Sequence, residues 1–225
     1  ATMKRHTRPF FSLRLSLLAA ATAGLLLPLS ALAADSGWIS LFNGKDLDGW
    51  EQKNGLAKYE VKDGCIVGSS VPNSPNSFLC TRKNYGDFEL QFEVKVDAEL
   101  NSGVQIRSHS LTNYQNGRVH GYQVEIAVGG FSGGIYDESR RNKFLNAGQP
   151  SAEIRALLKK DVWNQYRIVC QGDRIQTWVN GVQVTDLTDD MTPSGFIGLQ
   201  VHGVGARTDP LVASWRNLRL RELKP

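Results

Sequence analysis

The segment Asp87–Val96 alternates strictly between polar and apolar residues. Its apolar members are Phe88, Leu90, Phe92, Val94 and Val96. The polar residues between them are Glu89, Gln91, Glu93 and Lys95. Because successive strand residues point to opposite faces, this pattern predicts a strand with one face buried and one face in solvent. Such a strand needs a second apolar layer to cover it, so the segment favours a layered β fold.

Turn residues separate further short stretches of the same kind. Asn180-Gly181 lies inside Arg174–Val184, and Asp63-Gly64 separates Tyr59–Val61 from Cys65–Val67. Both dipeptides favour the positive φ angles of a two-residue hairpin. Additional strands are predicted at Gly103–Arg107, Tyr122–Ile126, Tyr166–Cys170, Phe196–His202 and Val212–Leu220.

Helical periodicity is confined to Pro150–Lys159, where a serine and three apolar residues predict a helical turn or two. The sequence therefore predicts an all-β fold, an antiparallel β-sandwich or jelly roll. The segments Ser108–Gly121 and Val128–Gly148 are polar or rich in glycine, and we predict them to be loops. Long loops of compact domains commonly carry binding residues, although mobile surface connections are the alternative.

The first 33 residues have the features of an export signal. Four basic residues precede the apolar run Leu15–Leu29, and Ala31-Leu32-Ala33 follows it as a small-x-small cleavage motif. A transmembrane anchor is the alternative, but the apolar run is short for a membrane span. We predict a signal peptide over 1–33, cleavage after Ala33, and a single β-sandwich domain over 34–225. The mature protein is then periplasmic or secreted, with no membrane anchor.

Removal of this leader changes the charge of the chain. The whole sequence has 26 Lys and Arg, 22 Asp and Glu, and a formal net charge of +4. Four of the basic residues belong to the leader, so the mature chain has 22 residues of each sign. Without a net positive charge, nucleic acid and acidic membrane surfaces are not expected partners.

The three cysteines, Cys65, Cys80 and Cys170, fit no metal-binding spacing. Cysteines on strands are usually small buried hydrophobes, which we expect here. A Cys65–Cys80 disulfide remains the alternative in an oxidising compartment. The five tryptophans are expected mostly in the sandwich core.

Three predicted strands carry pairs of large hydrogen-bonding side chains on their polar sides. By alternation these are Gln105 and Arg107, Gln123 and Glu125, and Gln200 and His202. If the three strands are neighbours, these side chains form one patch. Their directional donors and acceptors suit sugar hydroxyls, so the patch predicts a small carbohydrate or glycoside as ligand. An ordinary solvated sheet face is the alternative.

A second candidate is the glycine-flanked stretch Gly134–Arg141. Tyr136 offers an aromatic surface with a polar tip, and Glu138 and Arg140 add charged groups. We predict these three residues to bind substrate. The alternative is a surface loop whose charges neutralise each other.

An ordered set of motifs resembles the 3-keto-disaccharide hydrolase domain family. No single motif is specific, and the order over nearly the whole mature chain carries the resemblance. The motifs are Leu41–Trp50, Tyr85–Leu90, Asn101–Val104 with Arg107, Gly121–Glu125, Gly133–Tyr136, Trp163-Asn164, Val179–Gly181, Gly198–Gln200 with His202, and Trp215–Asn217.

The resemblance implies a concanavalin A-like β-sandwich and an enzyme that cleaves glycosides already oxidised at C3 of the sugar. A ketone at C3 acidifies the C2 proton, so a base can remove it and expel the C1 substituent, after which water adds to the enone. In this scheme Glu125 is the base and His202 the acid/base or leaving-group donor. Arg107 is expected to bind the keto oxygen or hydroxyls. The remaining substrate-binding candidates are Gln105, Gln123, Gln200, Tyr136, Glu138 and Arg140.

The identity of any metal is left open. Related sequences often carry an aspartate soon after the strand that holds Glu125, whereas here Ala127–Gly130 follows and the next acid is Asp137. Asp137 and Glu138 are the residues that could replace it. A divalent cation therefore stays an open alternative, and no cofactor is assigned.

Two other functions fit the same fold. A hydrolase of unoxidised β-glucans would be expected to carry Glu-x-Asp-x-Glu, but Glu125 is followed by Ile-Ala-Val-Gly and lacks the second carboxylate. A non-catalytic carbohydrate-binding module would use the same patch without an acid/base pair. This module is the main alternative to the enzyme.

Overall fold

In the computed structural model, the structure describes residues Gly37–Lys224. The predicted signal peptide over 1–33 lies outside them. The larger of two antiparallel sheets contains, from edge to edge, β12 (Val182–Thr188), β11 (Arg174–Val179), β10 (Asn164–Gln171), β6 (Phe88–Val96), β14 (Val212–Glu222), β4 (Cys65–Ser69) and β3 (Lys58–Lys62), and β1 (Ile39–Ser40) pairs with β14. The smaller sheet contains β2 (Trp50–Lys53), β5 (Ser77–Thr81), β13 (Phe196–Val201), β7 (Ser102–His109), β8 (His120–Ile126) and β9 (Ile135–Glu138).

The hydrophobic core lies between the inner faces of the two sheets. The apolar residues of β6 are all buried, as their alternation predicts. They belong to one cluster with Val104 and Ile106 of β7 and with Leu199 of β13. The predicted all-β antiparallel sandwich is therefore confirmed, and each sheet keeps an outer face free of the main core.

Both predicted hairpins are confirmed. Asn180 and Gly181 have φ angles of 48° and 83° between β11 and β12, and Asp63 and Gly64 have φ angles of 50° and 70° between β3 and β4. Positive φ at both central residues is the geometry of the type I′ turn, whose twist matches that of the strands it joins.

The helical prediction is confirmed as one short helix, α1 (Ala152–Arg155), with Ser151 accepting a hydrogen bond from Ile154 N as its N-cap. The loop prediction for Val128–Gly148 is wrong in part, because β9 lies inside it. This strand pairs with β8, so that Tyr136 lies opposite Gln123 and Glu138 opposite Gly121.

The cysteines are free, and Cys80 and Cys170 are buried. Tryptophan placement differs from the expectation. Trp50 and Trp215 are in the core, whereas Trp38, Trp163 and Trp178 are half-buried. These three stack against arginines outside the core. Over Gly37–Lys224, no helix has the length and hydrophobicity that a membrane span requires.

Candidate functional site

The strand order β13–β7–β8–β9 brings the predicted polar strands together. In the register, Gln105 lies opposite Gln123, and Gly103 lies between Glu125 on β8 and Gln200 on β13. The expected adjacency of the three strands is thus confirmed. We use the name polar face for one set of side chains on the outer side of the smaller sheet. Its members are Gln105, Gln123, Glu125, Tyr136, Glu138 and Gln200.

Most of the polar face is buried, although it lies outside the core. Gln105 and Gln200 are 0% exposed, Gln123 is 2% and Glu125 is 7% exposed. An ordinary outer sheet face is solvated. The burial of large polar side chains instead indicates a recess whose polar atoms need partners from the protein or from a ligand.

A chain of hydrogen bonds orders these side chains. Ser108 Oγ donates to Gln105 Oε1 at 2.7 Å, and Gln105 Nε2 donates to Gln123 Oε1 at 2.8 Å. Gln123 Nε2 then donates to Glu125 Oε2 at 3.1 Å. Asn101 Nδ2 donates to the other carboxylate oxygen, Glu125 Oε1. Each amide has one orientation in this chain, so the Glu125 carboxylate is fixed in place from both sides.

The Glu125 carboxyl is electrostatically perturbed. Burial raises its pKa above the usual value, and the negative charge of Glu138 acts in the same direction. The hydrogen bonds from Asn101 and Gln123 and the charge of His202 lower the pKa, but they only partly offset the burial. A buried carboxylate with a raised pKa is a stronger base than an exposed one, as proton abstraction requires.

Gly103 leaves room beside this carboxylate. A Cβ atom at this position would lie 2.5 Å from Gln123 Cδ, which is well inside van der Waals contact. Only glycine therefore lets the Gln123 side chain lie across β7 and reach Glu125.

Gln200 lies on β13, on the other side of Gly103 from Glu125. Among Gly37–Lys224, neither its Nε2 nor its Oε1 has a hydrogen-bond partner, and both atoms are buried. Leaving a buried amide unpaired costs about 1–3 kcal/mol for each polar group. An unpaired buried group of this kind can gain a partner from a bound ligand or from water.

His202 lies directly after β13 and is exposed. Its Nδ1 is 2.8 Å from Gly203 O. Because a carbonyl oxygen only accepts, Nδ1 carries a proton in this contact and Nε2 stays available for proton exchange. Asn76 Oδ1 accepts from Gly203 N at 3.0 Å and so holds this segment in position.

Tyr136 and Glu138 share the polar face because alternate residues of β9 point the same way. The Tyr136 ring packs edge-on against Phe144 at 5.3 Å, and burial, Glu138 and Glu125 together raise the Tyr136 pKa. Glu138 Oε1 accepts from Ser139 Oγ at 3.0 Å and lies 3.7 Å from Arg118 Nη2. Tyr136 and Glu138, which the sequence analysis placed on a separate loop, thus lie on strand β9 beside β8. Their roles in substrate binding stay predictions.

Arg107 does not lie on the polar face, and its predicted position is wrong. The register of β7 and β8 shifts after Ile106, and Arg107 has a φ of 46°. The guanidinium, only 1% exposed, therefore donates to Gly86 O at 2.8 Å, Gly172 O at 2.7 Å and Asp87 Oδ1 at 2.8 Å. Arg107 ties the smaller sheet to segments next to β6 and β10, which is a structural role.

Arg140, which was predicted to bind substrate together with Tyr136 and Glu138, lies away from the polar face, and its role stays a prediction. Asp137 and Tyr122 face each other in the register, on the side of the sheet opposite to Tyr136. Arg140 Nε donates to Asp137 Oδ1 at 2.7 Å, and its guanidinium lies 4.8 Å from the Tyr122 ring centroid. Because Asp137 is 0% exposed, it binds Arg140 tightly and draws it away from the polar face.

The contacts of Asp137 also decide whether it is available as a metal ligand. Asp137 is occupied by Arg140 and Arg141, so one of the two carboxylates considered for a metal points away from Glu125 and is already paired. In the part of the chain that the structure describes, no group of three or more His, Cys, Asp or Glu side chains is arranged to hold a metal ion. Asp137 is therefore not free to bind a metal ion beside Glu125.

A cavity of about 250 Å³ adjoins the polar face. It is lined by Asn54, Gly55, Pro75, Asn76, Phe78, Gln115, Asn116 and Arg118. Phe78 lies opposite Gln200 in the register, and Arg118 lies beside Glu138. The cavity thus offers amide and guanidinium groups around one aromatic ring, next to Gln200 and Glu138.

Sequence reasoning missed Asn101 and Ser108 at the two ends of the hydrogen-bond chain, and Arg118 beside Glu138. Asn101 could have been found, since it continues the alternation of Gly103 and Gln105 by one step. Ser108 enters the chain only because the irregular pairing after Ile106 changes its direction. Arg118 lies on a loop, where alternation gives no signal.

Comparison with known proteins adds the following. Residues 37–221 match the model of the 3-keto-alpha-glucoside-1,2-lyase-like domain family. A 3-keto-disaccharide hydrolase of Bacteroides thetaiotaomicron is 30% identical over 106 residues, which are 44% of this chain and 35% of that protein. The match thus covers about a third of the length of this curated relative.

Two solved structures share the fold. A Parabacteroides distasonis protein provisionally named a glycosyl hydrolase aligns with a TM-score of 0.60 and 18% identity, over 84% of this chain and 94% of that one. The carbohydrate-binding module CBM66 of Bacillus subtilis aligns with a TM-score of 0.57 and 14% identity, over 77% of this chain and 96% of that one. At these identities the likeness shows the jelly-roll fold alone.

Proposed function

Since the chain belongs to the 3-keto-alpha-glucoside-1,2-lyase-like domain family, we propose that it cleaves 3-keto-glycosides on the polar face. The observation that carries this proposal is Glu125, a buried carboxylate whose pKa is raised and whose two oxygens are held by Asn101 and Gln123. A carboxylate used only to bind sugar hydroxyls has no need of a raised pKa. A base that removes a carbon-bound proton gains from it.

The first step is proton transfer from C2 of the keto sugar to Glu125. The electron pair of the C2–H bond forms a C2=C3 double bond, and the C3 ketone oxygen becomes an enolate. Asn101 and Gln123 hold the carboxylate by its two oxygens, so it meets the substrate in one orientation. Such fixed geometry lowers the entropic cost of reaching the transition state.

The second step expels the aglycone. The enolate reforms the C3 ketone, a C1=C2 double bond forms, and the C1–O bond breaks. His202, protonated at Nε2, gives its proton to the leaving oxygen, while Nδ1 stays bound to Gly203 O. After the aglycone leaves, Glu125 exchanges its proton with the solvent. Water then adds hydroxide to C1, and Glu125 gives a solvent-derived proton to C2. His202 recovers its proton from that water, so the sum is hydrolysis.

Enolate stabilisation requires a donor for the C3 oxygen. Arg107 does not reach the polar face, so the role foreseen for it passes to other groups. Gln200 Nε2 is a buried amide donor without a protein partner, and the half-buried Tyr136 carries a hydroxyl on the same face. We assign the C3 oxygen to Gln200 and a neighbouring hydroxyl to Tyr136, whereas the Gln105 amide is fully buried and already bonded to Ser108 and Gln123. A preorganised donor at a developing oxyanion is typically a large contribution to catalysis.

The adjoining cavity gives the leaving group a place. Its volume of about 250 Å³ and its lining of Asn54, Asn76 and Asn116 suit a sugar or another polar aglycone. Phe78 adds an apolar surface for a ring. A disaccharide oxidised on one ring is thus the substrate class that fits best.

Turnover of a chromogenic 3-keto-glucoside and its unoxidised parent tests the proposal. We expect aglycone release from the keto sugar alone, and a loss of several orders of magnitude in Glu125→Gln. Glu99→Gln is the matched control, because Glu99 is 69% exposed and pairs only with Arg207 at the surface. Full activity of Glu125→Gln would exclude Glu125 as the base.

A non-catalytic carbohydrate-binding role is the second candidate, since the fold is shared with a carbohydrate-binding module. The same experiment separates the two functions. Calorimetric binding of the keto sugar without aglycone release supports the module, and release supports the enzyme.

We also propose that the protein works outside the cytoplasm. The basic and apolar leader with its Ala31-Leu32-Ala33 motif supports export. Mass spectrometry of the protein from the extracytoplasmic fraction should give Ala34 as the first residue. An intact leader on the active protein would contradict the proposal.

A further inference from the structure

A groove of about 820 Å³ crosses the outer face of the larger sheet, on the opposite side of the sandwich from the polar face. Trp38, just before β1, and Trp178, on β11, are its indole walls. Its polar lining comes from strands β6, β10 and β14, which contribute Gln91, Glu93, Gln165, Arg167, Asn217 and Arg219. We call this feature the tryptophan groove. Its volume lies in the range of ordinary ligand sites.

The two walls are built in the same way. The Arg167 guanidinium lies 4.2 Å from the Trp178 ring centroid, and the Arg219 guanidinium lies 4.9 Å from that of Trp38. Each arginine is therefore held by a cation–π contact before any ligand arrives. Guanidinium groups ordered in this way lose less entropy when they bind an anion than free surface arginines do.

The charges of this face do not balance. Glu89 is shared by Arg167 and Arg221, both of which approach it at 2.6 Å. Arg219 has no carboxylate within 4.0 Å among the described residues and instead donates to Gln91 Oε1 from Nε and Nη2. With Arg216 paired to Glu93, four arginines meet two glutamates around the groove. The excess of positive charge favours an anionic ligand.

The arginines also keep donors free. Within Gly37–Lys224, Arg167 donates only from Nε, to Glu89 Oε1, and Arg219 donates only to Gln91. Both Nη groups of Arg167 and Nη1 of Arg219 are thus available. Guanidinium donors bind carboxylates in short charge-assisted contacts. The half-buried indoles beside them offer apolar surface to the faces of sugar rings.

We propose that the tryptophan groove binds an acidic oligosaccharide, with uronate carboxylates on Arg167 and Arg219 and pyranose rings against Trp38 and Trp178. The site is separate from the polar face. It holds the protein on a carboxylate-bearing glycan and does not take part in cleavage. The inference goes beyond the proposed function and does not depend on it.

Calorimetric titration with a galacturonic acid tetramer tests the proposal, with a neutral galactose tetramer as the second probe. We expect the acidic tetramer to bind and the neutral one to bind at least about tenfold more weakly, because a charge-assisted contact contributes about one to two factors of ten. Arg219→Gln and Trp178→Ala should each weaken the acidic tetramer about tenfold or more. Added salt should weaken it as well.

Arg174→Gln is the matched control, because Arg174 lies on the same strand as Trp178, outside the groove lining, and pairs with Asp186. It should leave binding unchanged, and thermal unfolding should show that all variants are folded. Absence of binding at millimolar uronate, equal binding of both tetramers, or an unaffected Arg219→Gln would overturn the proposal. Binding of polyglutamate without the tetramer would also overturn it, in favour of an acidic protein ligand. Since none of these variants touches the polar face, cleavage of 3-keto-glucoside is measured in parallel and reports separately on the proposed function.

Discussion

Replacing Gln200 with methionine should make the protein more stable and less active. The Gln200 amide is completely buried, and neither of its polar atoms has a partner among the described residues. Methionine has a similar length and shape and no group that needs a hydrogen bond, so the exchange costs little packing. Removing one buried polar group that has no hydrogen-bond partner should raise the free energy of unfolding by about 1–3 kcal/mol.

The expected size of both effects follows from the geometry. A net gain of about 1–3 kcal/mol corresponds to a rise in melting temperature of roughly 2–10 °C for a domain of this size. In the proposed mechanism Gln200 Nε2 donates to the C3 oxygen of the enolate. Loss of one such donor typically lowers kcat by a factor of about 10²–10³.

Thermal unfolding followed by circular dichroism and aglycone release from a 3-keto-glucoside measure the two quantities on one preparation. Gln183→Met is the matched control, since Gln183 is exposed on β12 and should leave both values unchanged. A Gln200→Met variant that is less stable by more than about 1 kcal/mol and fully active would refute the reasoning. Such a result would mean that the Gln200 amide has hydrogen-bond partners in the free protein and does not contribute to catalysis.

Three further predictions concern the surroundings of the site. Arg107→Met should cost about 1–3 kcal/mol in urea unfolding, because the half-buried Asp87 loses a charge-assisted hydrogen bond, yet kcat/KM of the folded fraction should not change; a stable, inactive variant would contradict this. Gly103→Ala should lower kcat/KM, since the new Cβ would lie 2.5 Å from Gln123 Cδ and displace the amide that holds Glu125; wild-type kinetics would show that this contact is not needed. Activity should be lost on acidification through a pKa above the usual Glu value of 4.5, because burial raises the pKa of Glu125 and the base acts unprotonated. Asn101→Ala should move this acidic limb of the pH–activity profile to higher pH, because the Asn101 hydrogen bond lowers the pKa of Glu125. An unchanged limb would show that another group titrates there.

Sequence reasoning works for this fold where alternation is strict. β6 and the two type I′ hairpins were predicted, because period-two burial and positive-φ dipeptides are local properties. β9 was not predicted, since Gly133 and Gly134 precede it and it has only four residues. It gains its stability from pairing with β8, which is not a local signal.

The same limit applies to the site. Gln105, Gln123, Glu125 and Gln200 share a face because their strands are regular and adjacent. Arg107 follows the same alternation in the sequence, but positive φ at this position turns it toward Gly86 and Asp87. A β-bulge of this kind depends on pairing between distant segments, so the sequence pattern alone cannot give its position.

The tryptophans show the complementary error. Large aromatic residues are usually buried, and Trp50 and Trp215 follow that rule. Trp38 and Trp178 lie instead on the outer face, where Arg219 and Arg167 stack on them. Alternation already places Trp178 opposite to the buried Thr177 and Val179, so a stricter use of the pattern would have moved it out of the core.

The central claim is that Glu125 removes the C2 proton of a 3-keto sugar. Cleavage in D2O with early quenching, followed by mass spectrometry of the released 3-keto sugar, tests this most directly. Elimination and hydration predict one deuterium at C2 in the wild-type product, beyond the exchange of the free sugar in buffer. A product that keeps its original C2 hydrogen would contradict the account and point to direct displacement at C1.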